Sequence, residues 1–130
     1  AGYEKEYYTR LTDTVRQYLD DELGIPAMEQ TSGETLRSLE QCPEVESRER
    51  ERMAEMLTTS DYVKFAKYTP LQDENARYLD LAYDFVNVTH QRIQAEKAEQ
   101  QKQAEEEARR KEEEEKARAE AEIKEQEKDN

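Results

Sequence analysis

Tryptophan is absent from this 130-residue chain, and cysteine and histidine occur once each, as Cys42 and His90. A lone cysteine excludes an intramolecular disulfide and a cysteine-based metal cluster, and it fits a reducing compartment. A lone histidine with no histidine or cysteine one helical turn away leaves zinc catalysis without a ligand set. Three glycines and three prolines give little turn chemistry, so no glycine loop is present to cradle a phosphate. Strand-type alternation is nearly missing as well. No apolar run reaches the length of a membrane span, and the N-terminus lacks a charged-then-apolar signal pattern. The expectation is a soluble chain with no cofactor and no metal.

Charge is what the sequence has in quantity. Thirty-three acidic residues face 20 basic ones for a net charge of −13, and only 34% of residues are apolar, against roughly 45–50% in an ordinary globular domain. Residues 1–93 hold 19 acidic and 11 basic residues, a net of −8; residues 94–130 hold 14 and 9, a net of −5. Neither part has the dense positive charge that displaces counterions from nucleic acid. Direct attachment to anionic lipid is disfavoured for the same reason. Cationic or charge-mixed protein surfaces remain as partners. Large apolar residues run through 1–93, whereas alanine supplies all the apolar side chains of 94–122. The chain therefore divides into a helical bundle domain, 1–93, and a highly charged helical or disordered tail, 94–130.

Spacings of three and four residues predict an all-α bundle of four to five helices. Tyr8, Leu11, Val15, Tyr18, Leu19 and Glu22 mark one side of a helix over 3–23. Gly24 is placed to stop it in a left-handed conformation, and Pro26 prevents a restart. Thr31 with Glu34 three residues later suits a capping box for a short helix carrying Leu36 and Leu39, which ends at Cys42-Pro43. A third helix begins at Glu44 with Val45, Met53, Met56 and Leu57 on its apolar face. Thr59, Ser60 or Asp61 is expected to cap a further short helix in which Tyr62, Phe65 and Ala66 share a packed face, with Val63 off it and Pro70 closing the segment. Leu71, Asn75, Tyr78, Leu79, Ala82, Phe85, Val86, Thr89 and Ile93 form the stripe of the last core helix. Beyond Ile93 no helix breaker intervenes, and six acid-then-base pairs such as Glu105/Arg109 and Glu112/Lys116 have the favourable i, i+4 order. Ile123 alone cannot make a coiled-coil seam. A solvated helix continuous from Leu71 to Lys128 would extend roughly 87 Å; the competing reading is a frayed, disordered charged tail.

No spacing spells out a catalytic activity. Tyr8, Tyr18, Tyr62 and Tyr78 read as core rings with hydroxyls at the rim, leaving Tyr7, Tyr68 and Tyr83 for exposure. Arg10 and Arg16 read as exposed or paired with Glu6, Asp13 or Asp20. Asp20 and Asp21 point about 100° apart on a helix and make no dyad. Cys42 as nucleophile would need His90 as its base, a pairing that sequence does not show, and an isolated cysteine reads as a small hydrophobe. Lys64 and Lys67 flank Phe65 as a small basic patch, or else as a solvated face whose stems cover apolar surface. With Tyr68, Tyr7 and Arg10 they are the candidate partner contacts. There are no candidate catalytic, metal or cofactor residues, and the expectation is a protein that is not an enzyme.

Three stretches, "EYYTRLTDTVRQYLDDELGIPAMEQTSGE" (6–34), "SDYVKFAKYTP" (60–70) and "DENARYLDLAYDFVN" (73–87), carry a resemblance. The pattern comprises Tyr7, Tyr8, Leu11, Thr12, Asp13, Arg16, Tyr18 and Leu19, then Gly24, Ile25, Ala27, Met28, Glu29, Thr31 and Ser32, then Asp61, Val63, Lys64, Phe65, Ala66 and Lys67. Residues 3–90 thereby resemble the cytoplasmic C-terminal helical domain of Bacteroidetes-type membrane proteins associated with Bat (aerotolerance-type) and MoxR gene clusters. Gly33 departs from that pattern, which has an acidic residue there. The resemblance implies a domain at the cytoplasmic face of the bacterial inner membrane, tethered by a membrane segment outside this chain. It implies a non-catalytic protein–protein interaction module, with an AAA ATPase or a von Willebrand-type protein as partner. The alternative is a helical adaptor or spacer whose long charged helix positions partners.

Overall fold

The computed structural model describes residues 3–129; Ala1, Gly2 and Asn130, the outer ends of the expected domain and tail, lie outside the described residues. Four α-helices follow one another: α1 (Tyr3–Leu23), α2 (Ser32–Glu40), α3 (Ser47–Phe65) and α4 (Gln72–Asp129), with a 3-10 turn at Ala27–Glu29. The protein is an all-α four-helix bundle with a long last helix, and there is no strand among the described residues. It divides into two units at the Arg92–Ile93 bond.

In the first unit, α1 buries Tyr8, Leu11, Thr12, Val15 and Leu19. Gly24 takes φ 67°, the left-handed value that only glycine adopts without strain. The next N–H, of Ile25, then folds back onto the Leu19 carbonyl at 3.1 Å. Ile25 and Ala27 are carried inward. The N-terminus of α2 is closed by the capping box: Thr31 Oγ1 accepts from the Glu34 N–H and Glu34 Oε1 from the Thr31 N–H. The same half of that device recurs at α3, where the Glu46 N–H donates to Glu49, and at α4, where the Leu71 N–H donates to Glu74.

Two core stripes differ from expectation. Val45 is buried, but in the connection before α3. No separate helix begins at Thr59–Asp61, because α3 runs unbroken to Phe65. The hydroxyls expected to cap are engaged elsewhere: Ser60 donates to the Met56 carbonyl at 2.7 Å, and Thr59 bonds the Tyr78 hydroxyl at 3.0 Å. A continuous α3 turns Met53, Met56, Leu57, Ser60 and Val63 inward. Tyr62, Phe65 and Ala66 therefore face solvent, Phe65 81% exposed and Tyr62 57%. The expected packed face is absent, and Val63 is the residue of that segment that packs. On α4 the core residues are Tyr78, Leu81, Ala82, Phe85 and Thr89, while Leu71 and Leu79 of the expected stripe lie exposed.

Hydrogen bonds give the helix directions. Tyr7 meets Asn75 and Tyr18 meets Thr89, so α1 and α4 run parallel. Tyr78 meets Thr59, and Arg92 meets Glu49 at 2.6 Å, so α3 runs antiparallel to α4. Buried hydroxyls of Thr12, Ser60 and Thr89 bond back to the carbonyl one turn earlier, which lets polar side chains sit in the core satisfied. Two arginines act as multi-pronged ties. Arg16, expected to be exposed or paired with an acid, is instead half-buried and donates to the Ala27 carbonyl (2.7 Å), the Gln30 carbonyl (2.9 Å) and Ser32. Arg92 donates to the Glu44 carbonyl and Glu49. The planar fork of guanidinium donors suits this convergence of acceptors.

The second unit is helical through Asp129. Its side chains from Gln94 to Lys128 are solvent-exposed, and two of the expected pairs close as ion pairs, Glu107–Lys111 at 3.4 Å and Glu112–Lys116 at 3.9 Å.

Candidate functional site

Within the first unit α4 approaches the other helices through long side chains rather than close backbone packing. Tyrosines make the span to α1. At one end the Tyr7 hydroxyl donates to the Asn75 carbonyl (3.0 Å) and the Tyr8 hydroxyl to Asn75 Oδ1 (2.7 Å). At the other, the Tyr18 hydroxyl bonds Thr89 Oγ1 (2.8 Å), with the Val86 carbonyl at 3.4 Å. Edge-to-face ring contacts, Tyr8 on Tyr78 at 6.3 Å and Tyr18 on Phe85 at 6.4 Å, hold these crosspieces in place.

A groove of about 720 Å³ is left between α1 and α4. Leu11, Val15, Ala82 and Val86 line it with apolar surface, and Tyr3, Leu79 and Tyr83 are exposed along it. Tyr83, 64% exposed, adds a large ring to this open surface. Its charged lining is Glu6 and Arg10, which neutralise each other across 2.9 Å. Two further acids bear on its tyrosines. Burial first, then the Asp80 carboxylate, raises the Tyr7 hydroxyl above its ordinary pKa. Burial likewise raises Tyr18, with Glu22 adding to it against the Thr89 hydrogen bond. Tyr8 is raised furthest, by burial and then Glu74. These hydroxyls stay protonated donors at neutral pH and serve as fixed crosspieces.

Of the sequence-derived contact residues, Tyr7 and Arg10 line this groove, and Lys64, Lys67 and Tyr68 do not. Lys64 is half-buried and donates to Thr12 Oγ1 at 2.7 Å; burial, then the Arg16 charge, lowers its pKa. Lys67 occupies a left-handed backbone position, φ 58°, and the following Tyr68 N–H reaches the Tyr62 carbonyl at 3.1 Å, as Ile25 does after Gly24. Tyr68 donates its hydroxyl to Glu74 at 2.8 Å. The expected patch is thus split among a structural tie, a helix end and a surface bond. Asn75, Leu79 and Ala82, stripe positions in sequence, also belong to this site. Tyr83 is exposed as expected, and its neighbours Leu79 and Ala82 supply the signal that it borders apolar surface.

Reactive groups do not converge. His90 is exposed, and Cys42 is half-buried with its thiol pushed up by burial and then by Glu44, opposite to the shift of an activated thiolate. Among the described residues no three His, Cys, Asp or Glu side chains form a metal cluster, and no helix is long and apolar enough to cross a membrane. Comparison with protein-family models, with curated proteins and with solved structures finds no match to this chain.

Proposed function

We propose that the bundle is a non-catalytic protein–protein docking module. The observation that carries this reading is the α1–α4 groove, an apolar trough with exposed aromatic and aliphatic walls in a chain otherwise rich in charge. Exposed apolar surface of that kind, rimmed by polar groups, typically marks an interaction site. The resemblance of residues 3–90 to a membrane-tethered family supports placement at the cytoplasmic face of a bacterial inner membrane, with an AAA ATPase or von Willebrand-type protein as partner class.

The test pairs two sets of surface variants in pull-downs from membranes. Leu79→Glu with Tyr83→Glu changes exposed groove positions, and Phe65→Glu with Lys67→Glu changes the exposed end of α3. Loss of partner recovery in the groove pair, with an unchanged thermal melt, is the expected result. Recovery insensitive to both pairs overturns the reading, as does turnover of a small molecule by the chain. A second reading, a helical spacer, is favoured by one observation: α4 continues without a break to Asp129, and its second part exposes charge and only one large apolar side chain, Ile123.

A further inference from the structure

The charges and dimensions of the groove indicate what occupies it. We propose that the α1–α4 groove receives an amphipathic α-helix of another protein, with basic residues flanking its apolar strip. The inference rests on the docking reading and names the partner's chemistry.

The groove's length suits a helix of a few turns. The tyrosine crosspieces at Tyr7 and Tyr18 are 11 residues apart on α1, about 16 Å along a helix at 1.5 Å per residue. An apolar strip at i, i+4 and i+7 spans about 10 Å and fits between them.

Both walls are α-helices, whose interior N–H and C=O groups are already bonded to one another, so they offer an incoming chain no edge to pair with. An extended segment laid on this apolar surface would have unpaired amides against it, which is costly. A helix arrives with those groups satisfied.

Arg10 is neutralised by Glu6, while exposed Asp80 follows the lining residue Leu79 on α4 and exposed Glu22 lies one turn beyond the lining residue Tyr18 on α1. The charge flanking the groove at these positions is negative, within residues 1–93 of net charge −8. Lysine or arginine beside the apolar strip complements it. A second copy of this acidic chain would bring like charge to the same rim. A small apolar molecule would be poorly enclosed in a trough whose wall ring, Tyr83, is largely exposed, since small-molecule sites bury most of their ligand.

The probes are two synthetic 18-residue amphipathic peptides with the same leucine strip, one with lysines and one with glutamates on its polar face, measured by fluorescence anisotropy against the whole chain. The lysine peptide should bind and become helical, and its affinity should fall with salt. Leu79→Glu with Tyr83→Glu should weaken it about tenfold or more. Asp80→Lys with Glu22→Lys, both at exposed positions, should weaken the lysine peptide and strengthen the glutamate peptide while leaving the melt unchanged. Equal binding of the two peptides overturns the inference. So does binding of decanoate in place of either peptide, or a concentration-dependent dimer abolished by Tyr83→Glu. Failure of both peptides, with partner recovery still sensitive to the groove variants, removes the helical occupant and leaves the docking reading standing.

Discussion

In α1, Tyr8 and Leu11 sit three residues apart and both are buried; in α3, Tyr62 and Phe65 have the same spacing and both face water. Period alone identifies a face, and only the neighbouring helices decide whether that face is covered. Tyr8 is met by Tyr7, Tyr78 and Asn75. At the end of α3 the covered side is taken by Val63 and Ser60, one of them small and hydrogen-bonded, so the rings turn outward. Aromatics in this chain are thus of two kinds, those that join helices and those left available at the surface.

Tyr8→Ala should cost about 3–5 kcal/mol in urea unfolding, as removal of a fully buried ring does, while Phe65→Ala should stay within about 0.5 kcal/mol of the parent. Equal losses would show that the end of α3 is covered after all.

Arg16→Ala removes the tie to the Ala27 and Gln30 carbonyls and should cost about 1–3 kcal/mol, with Arg16→Lys restoring little because an ammonium lacks the fork. An unchanged midpoint would assign those carbonyls to solvent.

Gly24 and Lys67 share a left-handed φ, 67° and 58°, but only Lys67 carries a side chain. Lys67→Gly should stabilise by about 1 kcal/mol by removing left-handed strain. Gly24→Ala should destabilise by about the same amount, although a methyl there meets nothing within 4 Å. A loss of stability in Lys67→Gly would show that the lysine side chain contributes more than its backbone costs.

The smallest effect concerns the three glutamates at helix starts. The Thr31 and Leu71 backbone N–H groups hold Glu34 and Glu74 below the ordinary carboxylate value. Glu49, which burial would raise, is brought below it by Arg92 and the Glu46 N–H. A lowered folded-state pKa stabilises above the unfolded value of 4.5 and is lost as pH falls through the folded value. The Tm gap between the parent and a Glu34→Gln, Glu49→Gln, Glu74→Gln variant should therefore hold from pH 7 to about 5 and close below that. A gap independent of pH would mean the carboxylate charge is immaterial to capping.

Much of the architecture was legible in the sequence. The span of α1, its glycine stop and the Thr31–Glu34 box rest on local chemistry, and local chemistry can be read from residue order. The glutamates opening α3 and α4 were harder to see, because Glu46 and Leu71 stand where serine or threonine usually signals a cap. The break expected near Ser60 failed because a hydroxyl that caps and one that bonds back to its own helix look alike in sequence. Arg10 is exposed and paired with Glu6, within the sequence expectation, whereas Tyr7, expected at the surface, is half-buried with its hydroxyl on Asn75; their groove depends on α1 and α4 lying side by side, and no spacing within either helix encodes that. Arg16 reads as an ordinary surface charge because its main acceptors, the Ala27 and Gln30 carbonyls, are groups that every residue has.

The tyrosine crosspieces differ from the Arg16 tie in how much chain each of them closes. Arg16 closes loops of 11 to 16 residues to Ala27, Gln30 and Ser32, whereas the Tyr7, Tyr8 and Tyr18 hydroxyls join residues 67 to 71 positions apart. Each doubling of loop length adds only about 0.6 kcal/mol of closure entropy, but that cost falls before the long-range contacts can repay it. By sequence separation alone, the α1 corner with its 3-10 turn is expected to form before the seam between α1 and α4. Amide exchange along α4 from Asn75 to Thr89 that is faster than exchange at the buried positions of α1 is the expected sign that this seam also opens first.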